Sequence, residues 1–176
     1  MPRVLTGSAA VVIALFTVTP LRGQEPSRFG LNLSVAGTSQ VGVTYHIGEG
    51  VALRPAVVFG RRKFRSPTNT NASTSTDYGL ALDALFTVGR GGTVSTYLGA
   101  GGSYVFNHVA QGVTPAETGH TAGASGLFGV RARIAERIHL YGELSLGYLG
   151  QRPPSNLGVD QVVLRTTPLA VLIYLK

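Results

Sequence analysis

The chain has 176 residues, which is room for one ordinary domain, and a formal net charge of +7. Only 13% of its residues are charged, against about 25% in a typical soluble domain, and it contains neither Cys nor Trp. The absence of cysteine excludes a fold held together by disulfides. Because the basic residues are dispersed along the chain, the charge gives no reason to expect binding to nucleic acid.

The N-terminus has the pattern of a secretory signal peptide. Arg3 supplies a positive start, and residues 8–18, SAAVVIALFTV, form an uncharged run of apolar or small side chains that ends before Pro20. This run is too short for a membrane-spanning helix. We therefore expect residues 1–23 to be removed after export through the Sec pathway and residues 24–176 to form a single domain, with the exact cleavage site left open.

Eight segments of the remaining chain alternate apolar and polar side chains with a period of two, the pattern of β-strands. In the clearest of them, IHLYGELSLGYL, Ile138, Leu144 and Tyr148 fall on one parity and His139 and Glu143 on the other. Such segments suit a tilted strand that crosses a bilayer in about 9–11 residues. We predict strands at residues 29–37, 40–47, 51–60, 77–88, 94–106, 120–134, 138–149 and 162–176, and the facing of the glycine-rich strand 94–106 stays open.

The connections between these segments follow a regular order. The second, fourth and sixth are short turns, whereas residues 61–76, 107–119 and 150–161 are long and polar and are predicted to be loops. Short periplasmic turns and longer external loops are the rule for bacterial outer-membrane barrels, and only the short first connection departs from it. The sequence therefore predicts an all-β fold, an eight-stranded antiparallel up-and-down transmembrane β-barrel.

Aromatic residues fall at the two ends of the apolar parities. Rings of lipid-facing aromatics at both membrane interfaces are typical of such barrels. We predict a periplasmic girdle of Phe29, Tyr45, Phe86 and Tyr174 and an external girdle of Phe59, Tyr78, Phe106 and Tyr148.

The opposite parity carries charged residues that a barrel would direct into its lumen, namely Arg54, Asp83, Arg131, Arg133, Glu143 and Arg165. The interior of an eight-stranded barrel is just wide enough for side chains to fill it, and buried charges need partners. We therefore expect the two carboxylates to bridge the arginines in one network that plugs the lumen. A gated, weakly anion-preferring pore is the alternative.

A basic run lies just beyond the external girdle. Arg61, Lys63 and Arg65 in this run could contact the phosphates of lipopolysaccharide, since arginine binds phosphate well. A solvated extension of the strand is the simpler interpretation of the same run.

The remaining polar residues form no recognisable catalytic or metal motif. No Ser–His–acid arrangement is visible, and His108 and His120 lack the spacing of metal ligands. We therefore predict no catalytic residue, no cofactor and no metal. Pro55 and Pro168 each remove a hydrogen-bond donor inside a predicted strand, and β-bulges are expected to accommodate them.

Three stretches resemble small outer-membrane β-barrel proteins of the OmpA/OmpX or porin-family type. Leu53-Arg54-Pro55 followed by Val57 and Phe59 resembles their third strand, and residues 97–104, YLGAGGSY, look like their Tyr-x-Gly-x-Gly strand. The end Leu172-Ile173-Tyr174 resembles the signal read by the barrel-assembly machinery, although Leu175-Lys176 follows it. The resemblance implies an integral outer-membrane protein of Gram-negative type. Because the sequence stops at the eighth predicted strand, we expect it to lack the peptidoglycan-binding domain that longer OmpA relatives append.

These observations lead to one expected function and three alternatives. We expect a monomeric, non-enzymatic barrel with a structural or surface-interaction role, whose partners are outer-membrane lipid, lipopolysaccharide and, during insertion, the barrel-assembly machinery. The alternatives are a narrow passive channel, a barrel enzyme that modifies lipid A as a hydrolase or acyltransferase, and a soluble lipocalin-like barrel whose apolar parity lines a pocket.

Overall fold

The computed structural model describes residues 28–34, 39–66, 69–111, 117–152 and 158–175, and their side chains except those of 64–66, 69–72 and 111. The predicted signal peptide, residues 1–23, lies outside the described residues. Among the described residues there is no helix long and apolar enough to cross a membrane.

The described chain forms eight strands that follow one another around a ring. Each strand pairs antiparallel with the next, and the last pairs back with the first, so that the sheet is a closed barrel. This confirms the predicted eight-stranded antiparallel up-and-down barrel. The strands are β1 (Phe29–Ser34), β2 (Ser39–His46), β3 (Val51–Ser66), β4 (Asn69–Gly91), β5 (Val94–Gln111), β6 (Glu117–Arg133), β7 (Ile138–Arg152) and β8 (Val159–Tyr174).

The prediction of long loops was wrong for much of residues 61–76, 107–119 and 150–161. Strands β3 and β4 continue as a paired arm well beyond the external aromatic residues, with Arg61 opposite Thr76 and Lys63 opposite Thr74. Strands β5 and β6 continue similarly, to the pair Val109 and Glu117. Strand pairing depends on backbone hydrogen bonds, and Thr suits a strand well. These segments are therefore polar because the hairpins extend out of the apolar region, and not because their strands are unpaired.

The two prolines are accommodated in different ways. At Pro168 the register of β8 against β7 shifts. Two residues of β8, one of them Pro168, lie opposite the single residue Gly142 of β7, which is a β-bulge. At Pro55 the expected bulge is absent. The β2–β3 register is the same on both sides of it, at Gly42 opposite Ala56 and at Tyr45 opposite Leu53, and the pairs between them are missing from the ladder. Since proline has no N–H, ladder bonds are simply lost there.

The bulge at Pro168 reverses which alternate residues of β8 face the lumen. Above it, Val162 and Leu164 are 73% and 65% exposed on the outside, whereas below it Leu172 and Tyr174 are 3% and 4% exposed inside. The prediction that Tyr174 belongs to the lipid-facing girdle was therefore wrong. A strand changes faces when one residue is inserted, because its side chains alternate with a period of two.

Candidate functional site

The outer surface of the barrel is covered with large apolar side chains. Along β4 every second residue from Tyr78 to Val88 faces outward, and all of them except the small Ala84 are large, apolar and exposed. Ten residue steps of about 3.3 Å, along a strand tilted by about 40°, give a band about 25 Å tall. A continuous apolar belt of this kind far exceeds the patches of soluble monomers and matches the band of transmembrane barrels.

Seven of the eight predicted girdle residues lie on this outer surface. The rings of Phe29 and Tyr45 are 4.9 Å apart, and those of Tyr78 and Phe106 stack at 5.4 Å. Beyond Tyr78 the outward positions become polar. The residues on the outside are Phe29, Tyr45, Phe59, Tyr78, Phe86, Phe106 and Tyr148, and their exposure is partial to high. The open facing of strand 94–106 is also settled, since Leu98, Tyr104 and Phe106 point outward and Tyr97 inward.

A cluster of charged and phenolic side chains crosses the middle of the lumen. Arg54 on β3 donates from Nε and Nη2 to Oδ2 of Asp83 on β4, at 3.0 and 2.8 Å, and from Nη1 to Oε1 of Glu143 on β7, at 2.5 Å. The Tyr97 hydroxyl donates to the same Oε1 at 2.7 Å, and the Arg54 guanidinium lies 5.6 Å from the centre of the Tyr141 ring. We call these five residues the lumen cluster. Its bonds join four strands across the lumen.

Two glycines give the cluster its space. A Cβ atom at Gly129 would overlap the ring of Tyr97, which lies across the neighbouring strand at that position. A Cβ atom at Gly101 would overlap the carboxylate of Asp83. The glycine-rich character of β5 and β6 therefore serves packing inside the lumen, where larger neighbours occupy the missing volume.

Three of the six predicted lumen charges belong to this cluster and three do not. Arg54, Asp83 and Glu143 are joined, with side chains only 8%, 15% and 11% exposed. Arg131 instead donates to the Tyr174 hydroxyl at 3.0 Å and to Ser95 Oγ at 3.2 Å. Of the other two predicted members, Arg133 lies opposite His139 in the β6–β7 register, and Arg165 is exposed. The prediction that all six charges form one network was therefore wrong, because their positions along the strands put them at different heights in the barrel.

Sequence reasoning missed the two tyrosines of the cluster. Tyr141 shares its parity with Glu143, so that the pattern of β7 predicts its inward facing, although not its contact with Arg54. Tyr97 lies on the strand whose facing was open, because alternating Gly and Ala give both faces of that strand a similar polarity. The sequence therefore contained the signal for one tyrosine and not for the other.

Aromatic and apolar side chains occupy most of the periplasmic end of the lumen. Tyr174 lies between His46, whose Nε2 is 3.0 Å from its hydroxyl, and His139, whose ring meets it edge-on with centroids 4.8 Å apart. Tyr141, Ala170, Leu172 and Tyr174 form a buried apolar group. Asn32 donates to the fully buried Thr44 hydroxyl at 2.5 Å. A small cavity of about 20 Å³ remains between this end and the lumen cluster.

A second polar group lies at the external mouth, one position beyond Tyr78. Asp77 accepts hydrogen bonds from Arg62 at 2.7 Å, Asn107 at 3.0 Å and Ser75 at 3.1 Å. Burial alone would raise the pKa of Asp77, but the hydrogen bonds from Arg62, Asn107 and Ser75 favour its charged form and bring the pKa below its usual value. We call this group the mouth cluster; it ties the external arms of β3, β4 and β5 together.

Between these two clusters the lumen has a wall of very small side chains. They are Gly79, Ala81, Ser103, Gly123, Ser125 and Gly147, all partly accessible. Two larger inward side chains share this level and are buried, namely Val58 opposite Gly79 and Leu149 opposite Gly123. We call this part of the lumen, between the mouth cluster and the lumen cluster, the outer vestibule.

The remaining predicted residues lie on the external outer surface. Arg61 and Lys63 are exposed, and the side chain of Arg65 lies outside the described residues. The His108 ring contacts the Thr118 hydroxyl at 3.1 Å, and His120 stacks on Tyr104. Within the described part of the chain, no group of three or more His, Cys, Asp or Glu side chains could hold a metal.

Comparison with known proteins gives a fold but no family. No protein-family model matches the chain, and no curated protein does. A major outer membrane protein from Thermus thermophilus superposes with a TM-score of 0.58 at 13% identity, over 84% of this chain and 98% of its own. The chain has the fold of an outer-membrane β-barrel protein. CarO2 from Acinetobacter baumannii also matches, with a TM-score of 0.46 at 10% identity, over 85% and 98% of the two chains.

Proposed function

We propose that the protein is an integral β-barrel of the bacterial outer membrane with a structural or surface-interaction role. The observation that carries the proposal is the apolar outer belt of the closed barrel, about 25 Å tall, bounded by aromatic residues. Hydrocarbon is the solvent in which such a surface is stable. The lipocalin-like alternative requires the apolar parity to line a pocket, whereas Leu80 and Leu164 point away from the lumen.

The lumen is closed in this proposal rather than conducting. Arg54 is held by carboxylates on two other strands, and the Tyr174 region below it is packed. A narrow passive channel for ions or small solutes would need both levels to open. Opening would also leave Arg54 without its partners in a poorly solvated interior, which is energetically costly.

We further propose that the protein is a monomer without enzymatic activity, which interacts through its external arms. Arg61 and Lys63 are exposed just outside the aromatic boundary, the level of lipid phosphates, and can contact lipopolysaccharide there, together with Arg65. The barrel-assembly machinery is the proposed partner during insertion. A lipid A hydrolase or acyltransferase remains the enzymatic alternative, and unmodified lipid A in overexpressing cells would count against it.

Membrane fractionation combined with a gel of boiled and unboiled protein tests the proposal. We expect recovery in the outer membrane and faster migration of the unboiled protein, since a closed barrel stays compact in detergent. Recovery in the soluble periplasm would contradict the proposal and favour the lipocalin-like barrel. Planar-bilayer recordings of the purified protein test the closed lumen; we expect no steady conductance, and reproducible single-channel steps would favour the channel.

A further inference from the structure

Four rings are in contact with one another on the outer surface, at the external boundary of the apolar belt. Tyr78 and Phe106 stack with centroids 5.4 Å apart, and Tyr104 meets Phe106 edge-on at 5.1 Å. The ring of His120 stacks on Tyr104 at 5.7 Å. We call these four residues the aromatic platform. Because Tyr78 is 51% and Tyr104 44% exposed, a partner can lie against these rings.

Two exposed cations lie on the same face, just beyond the aromatic platform. The register places Arg61 opposite Thr76, two residues beyond Tyr78, and places Lys63 two residues further out. Two residues of a strand span about 7 Å. A row of polar and cationic groups therefore runs parallel to the rings at about that distance.

The described residues place no carboxylate on this face to neutralise the cations. Asp77 points inward and accepts a hydrogen bond from Arg62, Asp160 is paired with Arg152 on another hairpin, and Glu117 has the inward parity of β6. Asp and Glu are also absent from residues 35–38, 64–72, 111–116 and 153–157. The outer face of the arms formed by β3 to β6 therefore carries positive charge and favours an anion.

We propose that the aromatic platform and the two cations together bind the headgroup of a phosphorylated glycolipid, with a sugar ring on the platform and a phosphate on Arg61 and Lys63. The C–H groups on one face of a sugar ring suit the electron-rich face of an aromatic ring. Guanidinium and ammonium groups bind phosphate. A monosaccharide that carries a phosphate can reach both rows, which are about 7 Å apart.

The inference rests on the proposed function, since it requires this face to lie at the outer leaflet of the outer membrane. It deepens the lipopolysaccharide contact proposed above, because it makes the sugar, and not the phosphate alone, part of what the protein recognises. A girdle that only anchors the barrel at the interface would show no preference for a sugar headgroup.

Native mass spectrometry of the purified protein in detergent tests the inference with three lipids. Lipid A with both phosphates offers sugar and phosphate, the same lipid A without phosphates offers the sugar alone, and phosphatidic acid offers the phosphate alone. We expect removal of the phosphates from lipid A to weaken its binding about tenfold.

Variants of the rings and of the cations should separate the two contacts. Tyr104→Leu combined with Phe106→Leu should weaken the binding of lipid A about tenfold and leave that of phosphatidic acid unchanged. Arg61→Gln combined with Lys63→Gln should weaken the binding of both lipids about tenfold and make lipid A bind no better than its dephosphorylated form. Since both cations are exposed, the second variant should fold even if the first does not.

Matched controls lie at the periplasmic end of the barrel. Tyr45→Leu removes one ring of the outer pair with Phe29, and Arg137→Gln removes an exposed arginine. Neither control should change the binding of lipid A. Unchanged lipid A binding in the ring variant or in the cation variant, or an equal loss in Tyr45→Leu, would overturn the proposal.

Two further readouts separate the ways in which the inference could fail. If the protein is recovered in the outer membrane but does not distinguish lipid A from its dephosphorylated form, the inference fails alone; recovery in the soluble periplasm would contradict the proposed function as well. If glucosamine phosphate without acyl chains competes as well as lipid A does, the site takes a free sugar phosphate, and the assignment to a glycolipid is overturned.

Discussion

Arg54 Nη1 lies 2.5 Å from Glu143 Oε1, although the two residues are 89 positions apart in the chain. This bond joins β3 to β7 across the lumen, and Asp83 holds the other side of the same guanidinium. The cluster therefore links opposite walls of the barrel.

Replacement of Arg54 by Leu should destabilise the barrel severely. It leaves Asp83 and Glu143 as two buried carboxylates without a counter-charge, and the loss of one partner from a buried pair costs about 3–5 kcal/mol. Urea unfolding of the protein in lipid vesicles, followed by circular dichroism and by the fraction that migrates as folded barrel, measures the loss.

The matched control for this variant is Arg165→Leu, which removes an exposed arginine and should change stability by less than about 0.5 kcal/mol. The triple replacement of Arg54, Asp83 and Glu143 by Leu or Met should regain much of the lost stability, because no uncompensated charge remains. Wild-type stability in Arg54→Leu would show that the cluster does not join the walls.

Gly129 and Gly126, both on β6, should respond in opposite ways to the same substitution. A Cβ atom at Gly129 would overlap the Tyr97 ring, whereas a Cβ atom at Gly126 meets nothing within 4 Å. We expect Gly129→Ala to cost about 1–3 kcal/mol, as overpacking does, and Gly126→Ala to be near neutral.

Tyr97→Phe tests whether the cost at Gly129 acts through the bond from Tyr97 to Glu143. The free energy of unfolding of the Tyr97→Phe variant should be lower by about 1.5–3 kcal/mol, the range for a hydrogen bond to a charged group. In the double variant the two losses should be less than additive, since they affect one interaction. Full additivity in the same unfolding assay would separate the two effects and contradict the packing described for this glycine.

The mouth cluster should make the external arms sensitive to acid. The folded-state pKa of Asp77 is below its usual value because hydrogen bonds from Arg62, Asn107 and Ser75 outweigh burial. Its contribution to stability is therefore fully present above the unfolded pKa of about 4 and is lost as the pH falls through the lower folded value. Amide exchange in the paired arms of β3 and β4, measured from neutral pH to about pH 3, detects the loss.

Asp77→Asn should lower the protection of these amides against exchange at neutral pH and should remove most of the acid dependence of that protection. Asp160→Asn is the control, since Asp160 pairs with Arg152 at 3.3 Å in an exposed position, where an ion pair contributes little. Equal acid sensitivity in the wild type and Asp77→Asn would assign the effect to other groups.

Pro168 should matter as an inserted residue more than as a proline. Pro168→Ala keeps the bulge and should refold into vesicles with near wild-type yield. Deletion of Pro168 removes the extra residue, so that Leu172 and Tyr174 would turn outward and the packing around His46 would be lost. We expect refolding of the deletion to fail in a gel-shift assay; a deletion that refolds normally would contradict the assignment of faces.

The sequence predicted the barrel itself because a period of two is clear in most of the strands, although β8 breaks it at Pro168 and the glycine-rich β5 shows it only weakly. It did not predict the extended arms, since polar residues such as Arg61 and Thr76 pair as readily as apolar ones once both faces are solvated. It placed Tyr174 on the lipid-facing side because counting alternate residues along a strand does not reveal a bulge. It also grouped Arg131 and Arg165 with Arg54, because alternation fixes the face of a residue but not its height, which depends on register and strand tilt.

In the proposed membrane barrel the apolar parity of each strand faces lipid and the opposite parity faces the lumen. Single cysteines introduced at positions 80 to 82 of β4, in a chain without native cysteine, can carry spin labels whose collisions with oxygen and with a water-soluble nickel chelate are measured in vesicles. We predict oxygen accessibility at Leu80 and Leu82 and nickel accessibility at Ala81, which lines the outer vestibule. Nickel accessibility at Leu80 and Leu82 with oxygen accessibility at Ala81, or no alternation, would contradict this orientation of the strands.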